Sequence, residues 1–456
     1  MFEYIRKTYR KIRDLSSIHL IVSFYAIAVL GSSLLLSIPY FHQENVSLSF
    51  IDVVFTAISA ISVTGLTVVS TADTFNSVGY FVLAFVLQFG GIGIMTLGTF
   101  IYIVFGKRIG LKGRQLIRID QNRNNLSGLV QLMLQILRTI LIIELIGGII
   151  LSIYYLNYFD SWQEAFIQGF FASISATTNA GFDITGSSLI PFANDYFVQF
   201  IQMLLLVLGA IGFPVLIEVQ EVLWGKYRNV EGKYHFSLFT KVTTVTFGAL
   251  IVVGAFFIYL FERNAFFADK TWHESLFYSL FQSITTRNGG LATMDMSDFS
   301  VPTLLILCAL MFIGASPSSV GGGIRTTTFA IIFLATLQYA KGNNAIKIFR
   351  REIEQEDVIR SFVVAFTAIT LVSTAIILLI WTEPLSNMAI TFEVFSAFGT
   401  TGLSLGITPE LSGFGKVVIM IMMFVGRIGI FSFIFIFRGN GAKDLFHYPK
   451  EKMIIG

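Results

Sequence analysis

The chain is 456 residues long, 54% apolar and only 13% charged, with a mean hydropathy of +0.75. Soluble domains carry about 25% charged residues, so these figures exclude a soluble globular protein. They imply a polytopic membrane protein with length for eight or more spans at about 20 residues each. The formal net charge is only +3 and no nucleic-acid partner is expected, while the single cysteine, Cys308, excludes an intramolecular disulfide.

Arg6, Lys7, Arg10, Lys11 and Arg13 precede the first apolar run, at 18–38. The run is longer than a signal-peptide core and shows no cleavage site, so it reads as a span. Beyond it the chain repeats one plan four times: an apolar run of spanning length, a shorter half-apolar segment, and a second long apolar run. Repeat 1 gives 18–38, 48–66 and 76–105; repeat 2 gives 128–156, 162–182 and 194–224. Repeat 3 gives 238–261, 272–291 and 301–340; repeat 4 gives 360–382, 387–403 and 413–437.

Basic residues near span ends collect on the cytoplasmic side. With both termini and the inter-repeat linkers inside, 24 of the 31 Lys and Arg fall there, while only Arg263, Lys270 and Lys416 fall outside. The short segments must then enter and leave on one face. Trp162, Trp272 and Trp381 fall at the predicted outer boundary and Trp224 at the inner one, as aromatic belts require. Ser49 with Asp52, Ser161 with Glu164 and Thr271 with Glu274 have capping-box spacing at the heads of short segments, whereas Ser386 is followed by Ala389.

Each short segment ends in a related stretch. Residues 55–66 read Phe-Thr-Ala-Ile-Ser-Ala-Ile-Ser-Val-Thr-Gly-Leu, and versions recur at 171–182, 281–291 and 392–403. Their glycines, Gly65, Gly181, Gly290 and Gly402, lie 116, 109 and 112 residues apart. Non-helical backbone at membrane depth is tolerated only where protein buries it or where it lines a watery cavity. Short helices running inward point the negative ends of their dipoles at that cavity, which favours a cation. The candidate site is therefore a ring of carbonyls from Val63, Thr64 and Gly65, from Thr178, Asn179, Ala180 and Gly181, from Asn288, Gly289 and Gly290, and from Thr400, Thr401 and Gly402. In the third loop either Gly289 or Gly290 fits the count. The alternative is small-residue helix packing, which a fourfold period does not favour.

The second long runs carry a repeat of their own: Phe89-Gly-Gly-Ile-Gly93, Leu208-Gly-Ala-Ile-Gly212, Phe312-Ile-Gly-Ala-Ser316 and Phe424-Val-Gly-Arg-Ile-Gly429. The third continues through Gly314, Ala315, Ser316, Pro317, Ser318, Ser319, Gly321, Gly322 and Gly323, a density of helix breakers that no helix continues through. This segment, 314–323, reads as a gate beneath the ring or as a fixed kink. Arg427 stands within an apolar run, where a charge marks an ion path; its partners are the carbonyls of 314–323 or a carboxylate such as Glu144 or Glu218. Arg287 reads as a brace for the third loop and Arg325 as snorkelling inward. No cluster of His, Cys and Asp, no Ser–His pair and no phosphate loop falls within a span, so no enzyme is expected. All four repeats run the same way, against an inverted-repeat secondary transporter.

In combination these motifs resemble the Trk/Ktr/HKT superfamily of potassium transporters, most nearly the ion-translocating membrane subunit of bacterial Ktr systems, over essentially the whole chain. The resemblance implies an all-α polytopic membrane protein of four M1–pore loop–M2 repeats around one central pore, with eight transmembrane helices and four re-entrant pore helices. It divides the chain into a cytoplasmic N-terminus (1–17), repeats at 18–105, 128–224, 238–340 and 360–437, cytoplasmic linkers at 106–127, 225–237 and 341–359, and a cytoplasmic C-terminus (438–456). It further implies potassium uptake across the bacterial cell membrane through a filter with one glycine per loop, matched by Gly65, Gly181, Gly290 and Gly402, a gating loop at 314–323 and a pore arginine at Arg427. A homodimer on a cytosolic ring of nucleotide-binding regulatory subunits follows from the same resemblance, with potassium, and in many such systems sodium, as the ion. Glycine at position 65 resembles the potassium-selective members.

Overall fold

The computed structural model describes residues 17–44, 46–93, 128–223, 235–343 and 345–436, with 449, 451, 453 and 454 of the tail. The basic clusters before residue 17, at 107–123 and at 438–443, most of the 225–237 linker, Trp224 and the end of the 76–105 run lie outside these residues.

Repeat 1 comprises α1 (Ser17–Leu36), the re-entrant α2 (Phe50–Ser62), a one-turn α3 (Thr71–Thr74) and α4 (Ser77–Ile92). Repeat 2 follows with α5 (Leu129–Tyr155), the re-entrant α6 (Trp162–Thr177), α7 (Tyr196–Ala210) and α8 (Phe213–Leu223). Repeat 3 has α9 (Leu238–Glu262), the re-entrant α10 (Trp272–Thr285), α11 (Val301–Ile313) and α12 (Thr326–Ala340). A two-residue hairpin, β1 (Lys347–Ile348) with β2 (Arg351–Glu352), leads into repeat 4: α13 (Gln355–Thr382), the re-entrant α14 (Asn387–Gly399), α15 (Gly413–Ile428) and α16 (Ile430–Ile436).

Among the described residues, four helices are each long and apolar enough to cross a membrane, and they are α1, α5, α9 and α13, the first helix of each repeat. Their outward faces keep large apolar side chains such as Leu34, Phe366 and Ile377 exposed, which is how a helix presents itself to lipid rather than water. Trp162, Trp272 and Trp381 are likewise 67–82% exposed.

The second runs correct one expectation. A break was expected in repeat 3, yet the first helix of each second run ends at a glycine of the subsidiary repeat. Gly93, Gly212 and Gly429 take φ of +92°, +103° and +87°, and Gly314 and Gly323 take +68° and +81°. At Gly212 the axes of α7 and α8 diverge by 104°. The reason is local: a left-handed residue ends the α-helical ladder, and only glycine takes that conformation without a Cβ penalty.

Packing between repeats is cyclic. The second helix of each repeat lies on the re-entrant helix of the next: α4 on α6, α7 on α10, α11 on α14, and finally α15 on α2. The apolar cores follow these seams; the largest joins Phe55 and Leu66 of repeat 1 to Ile390, Phe398, Ile419 and Met423 of repeat 4. Buried carboxylates staple the ends. Glu262 accepts from the Ser300 amide (2.9 Å), Ser300 Oγ (2.6 Å) and Thr303 Oγ1 (2.5 Å), tying α9 to the start of α11. Glu383 does the same in repeat 4, accepting from the Ser412 amide (3.1 Å) and Ser412 Oγ (2.5 Å).

Candidate functional site

Three of the four re-entrant helices start on side-chain caps, and all four run into strained residues. Ser49 accepts from the Asp52 amide, Ser161 from the Glu164 amide, and Thr271 with Glu274 forms a full capping box; Ser386 makes no side-chain cap. Just beyond each C-terminus stands a non-glycine residue in the left-handed region: Val63 (φ +57°), Asn179 (+52°), Asn288 (+78°) and Thr400 (+50°). Two residues further on, Gly65, Gly181, Gly290 and Gly402 take φ of +90°, +67°, +69° and +94°. Left-handed backbone at a β-branched residue costs of order 1–3 kcal/mol and persists only where the surroundings enforce it.

Those surroundings are the helices themselves. The amides of Thr64, Ala180, Gly289 and Thr401 donate to the carbonyls of Ser59, Ser175, Thr285 and Ser396, at 2.8, 2.7, 2.6 and 2.8 Å. The hydroxyls of the same four residues bind the chain around the glycine. Ser59 Oγ accepts from the Gly65 amide (3.2 Å) and Ser396 Oγ from the Gly402 amide (3.0 Å). Ser175 Oγ donates to the Phe182 carbonyl (2.5 Å) and Thr285 Oγ1 to the Leu291 carbonyl (2.6 Å). None of the four was singled out from the sequence, although the recurrent hydroxyl ahead of each glycine was there to be seen.

The four glycines form a closed ring. A Cβ on Gly65 would lie 2.6 Å from the Ala180 carbonyl oxygen and 3.0 Å from Gly181 Cα, and one on Gly181 would lie 2.9 Å from Gly290 Cα. A Cβ on Gly290 would overlap the Thr401 carbonyl, and one on Gly402 the Thr64 carbonyl and Gly65 Cα. In the third loop, which is one residue shorter, Gly290 meets the ring while Gly289 packs on Thr285. Val63, Thr64, Thr178, Asn179, Ala180, Asn288, Thr400 and Thr401 are all buried to 1% exposure or less.

The side chains of the left-handed residues turn away from the ring, into the glycines of the second runs. A Cβ on Gly90 would meet Val63 Cγ2 at 2.7 Å; one on Gly209 would overlap the Asn179 carboxamide, and one on Gly321 the Asn288 carboxamide. Thr400 fills the corresponding space between Gly322 and Gly426. In repeats 1, 2 and 4 the subsidiary glycine repeat thus has two uses: the first glycine makes room for a loop side chain and the one three residues later ends the helix, whereas in repeat 3 Gly314 ends the helix first and Gly321 makes the room. What remains at the ring is main chain, at the negative ends of four helix dipoles.

The 314–323 segment packs against these loop side chains, Gly321 beside Asn288 and Gly322 beside Thr400. Its Ser316 and Val320 amides donate to the carbonyls of Ala210 (3.0 Å) and Gly209 (3.4 Å) at the end of α7, and the Phe213 amide at the start of α8 donates to the Ser318 carbonyl (2.9 Å). Two broken runs therefore satisfy each other's backbone groups, which is what membrane depth demands. Ser319 Oγ donates to the Ser316 carbonyl (2.6 Å), and Ala315 and Gly322 pair across the segment (3.3 Å). Pro317 crosses against Gly212.

Three arginines surround this region, and each is placed differently from the sequence reading or more closely than it. Arg427 donates to the Gly90 carbonyl of repeat 1. Of the carboxylates considered for it, Glu144 accepts from Gln88 (2.5 Å), and Glu218 accepts from Ser237 and Thr240. Arg325 donates to the Gly321 carbonyl four residues back and so helps close the segment on itself. Arg287, 1% exposed, reaches past its own loop to the carbonyls of Leu310 and Gly314.

A largely helical bundle of four like repeats, closed on itself around one ring of main chain, defines a polytopic membrane protein. A profile of the TrkH family, described as cation transport protein, matches residues 7–444, and the chain belongs to that family. It is similar to the Ktr system potassium uptake protein D of Bacillus subtilis, at 59% identity over 98% of each chain. The potassium/sodium uptake protein NtpJ of Enterococcus hirae is 33% identical over 99% of each chain, and the Ktr system potassium uptake protein B of Bacillus subtilis 34% over 96% of each. The crystal structure of the potassium transporter TrkH from Vibrio parahaemolyticus shares the fold, with a TM-score of 0.72 at 18% identity, over 93% of this chain and 86% of that one.

Proposed function

We propose that this chain is the potassium-translocating membrane subunit of a Ktr-type uptake system. The observation that carries the reading is the closed ring of Gly65, Gly181, Gly290 and Gly402, each preceded two residues earlier by a left-handed residue whose side chain points outward. Main-chain carbonyls at such a ring replace the hydration shell of a dehydrated cation. Carbonyls of Val63, Thr64, Thr178, Asn179, Ala180, Asn288, Gly289, Thr400 and Thr401 complete the filter. Potassium is the cargo, drawn inward by the membrane potential at about 2.3 kcal/mol per charge per 100 mV. The 314–323 segment is the gate, with Arg427 beside it. The names of the relatives support potassium, and the likeness to the protein named for potassium and sodium supports a second reading in which discrimination is weaker or sodium promotes uptake.

By the same likeness the assembly is a homodimer in the cell membrane, docked through its inner linkers to a cytosolic nucleotide-binding ring. The test is rubidium and potassium uptake by a cell lacking its own uptake systems, with sodium replaced by choline in one arm. Growth rescue at low potassium and saturable rubidium uptake are expected. No flux in such cells, nor in vesicles supplied with a nucleotide-binding partner, overturns the assignment.

A further inference from the structure

Among the described residues, Arg287 is the largest of the side chains that are less than 2% exposed. A buried cation is costly unless hydrogen bonds satisfy it. Arg287 meets that cost with main-chain carbonyls alone: Nη2 donates to Leu310 and Nη1 to Gly314 at 3.4 Å, while Nε has no partner. Both acceptors stand at the C-terminal end of α11, where the helix dipole is negative and Gly314 (φ +68°) opens the 314–323 segment.

The next residue reaches the same segment from another side. Asn288 Nδ2 donates to the Gly399 carbonyl, the Thr400 carbonyl (3.0 Å) and Thr400 Oγ1 (2.7 Å), and its carboxamide fills the space beside Gly321. Two residues on, Gly290 stands in the ring against Gly181 and Gly402. Residues 287–290 therefore touch the start of the segment, its far end and the ring. The stretch has little slack, being pinned on both sides by Thr285, whose carbonyl accepts from Gly289 (2.6 Å) and whose hydroxyl holds Leu291 (2.6 Å).

We propose that Arg287 is a positioning residue that couples cation occupancy of the ring to the position of the 314–323 segment. This rests on the reading of the ring as a cation filter. An ion entering the ring orders the main chain at Gly290; the short pinned loop transmits that order to Arg287, and its planar fork holds the two carbonyls at the segment's start. By reciprocity, any displacement of the segment changes the ring's affinity for the ion. Lysine, a point charge without the fork, cannot hold both carbonyls in fixed geometry.

The test is hydrogen exchange on the intact protein in detergent, in potassium chloride against choline chloride, following amides of the four loops and of 314–325 separately. Potassium is expected to slow exchange in both groups in the wild type, by about 5-fold or more in the segment. In Arg287→Lys the loops keep their protection and the segment loses its own. Potassium protection of the loops with none at 314–325 in the wild type overturns the coupling and leaves the filter reading standing; protection of neither overturns the filter reading itself. Equal protection of the segment in Arg287→Lys and wild type removes Arg287 from the coupling. Thermal melting of the variant within a few degrees of wild type guards against simple misfolding, and a variant that does not fold leaves the wild-type comparison to decide.

Discussion

Lys416 Nζ lies 2.8 Å from Asp52 Oδ1, an ion pair between residues 364 apart in sequence, with side chains 14% and 19% exposed. It joins the start of α15 in the last repeat to the start of α2 in the first, at the seam where the cyclic order of repeats closes. Lys416 was one of the three basic residues that fell on the predicted outer side, and a carboxylate from another repeat pairs with it.

Removal of either charge leaves the other half-buried, so Lys416→Met or Asp52→Asn alone is expected to lower the melting temperature more than the pair of changes together predicts. The coupling in a double-mutant cycle is expected near 1 kcal/mol, at the upper end for a partly exposed pair. Ion discrimination should be unchanged, as measured by competition of sodium with rubidium uptake.

At Gly65 a side chain meets two obstacles, a φ of +90° and the Ala180 carbonyl oxygen 2.6 Å from any Cβ. Gly65→Ser is expected to fold with reduced stability and to admit sodium, because the displaced carbonyl no longer fits the ring. Sodium competition against rubidium uptake is the measurement, and a selectivity equal to wild type would remove Gly65 from the filter. Gly290→Ser should behave alike, whereas Gly289→Ala, crowding Thr285, should chiefly lower the melting temperature.

Deleting 315–322 is expected to raise flux while leaving the preference for potassium over sodium intact. It also strips the Gly209 and Ala210 carbonyls and the Phe213 amide of their partners, so the melting temperature should fall. An open pathway with lower stability is the expected pairing in a proteoliposome flux assay; an unchanged flux would mean that the segment is a fixed kink.

Ser59→Ala and Ser396→Ala each remove one acceptor from a ring glycine amide. About 1 kcal/mol of stability per site is expected to be lost, with more if the freed amide finds no water. Because the amide sits at the ring, the half-saturation constant for rubidium should rise with it. A loss of stability without any change in that constant would make the hydroxyls purely structural.

Much of this architecture could be read from the chain alone. Composition required a membrane protein, the fourfold recurrence around Gly65 required like units, and the asymmetry of Lys and Arg required re-entrant segments, since each is a one-dimensional signal. The paired glycines of the second runs were visible as a pattern, but their division of labour was not. That Gly90 yields to Val63 and Gly209 to Asn179 depends on which helix faces which loop.

The ring is where the two kinds of information part. Local sequence placed a glycine after each re-entrant helix, because hydrophobic runs, caps and turn residues act over a few neighbours. Only the tertiary structure decided that Gly290 Cα lies against Gly181 and Gly402 while Gly289 turns its carbonyl to Gly181, that Arg427 donates to Gly90, and that Arg287 holds Gly314. Contacts between residues tens to hundreds of positions apart are fixed by the cyclic packing of four repeats and by the need to satisfy every backbone group at membrane depth, and neither is written in any one stretch of the chain.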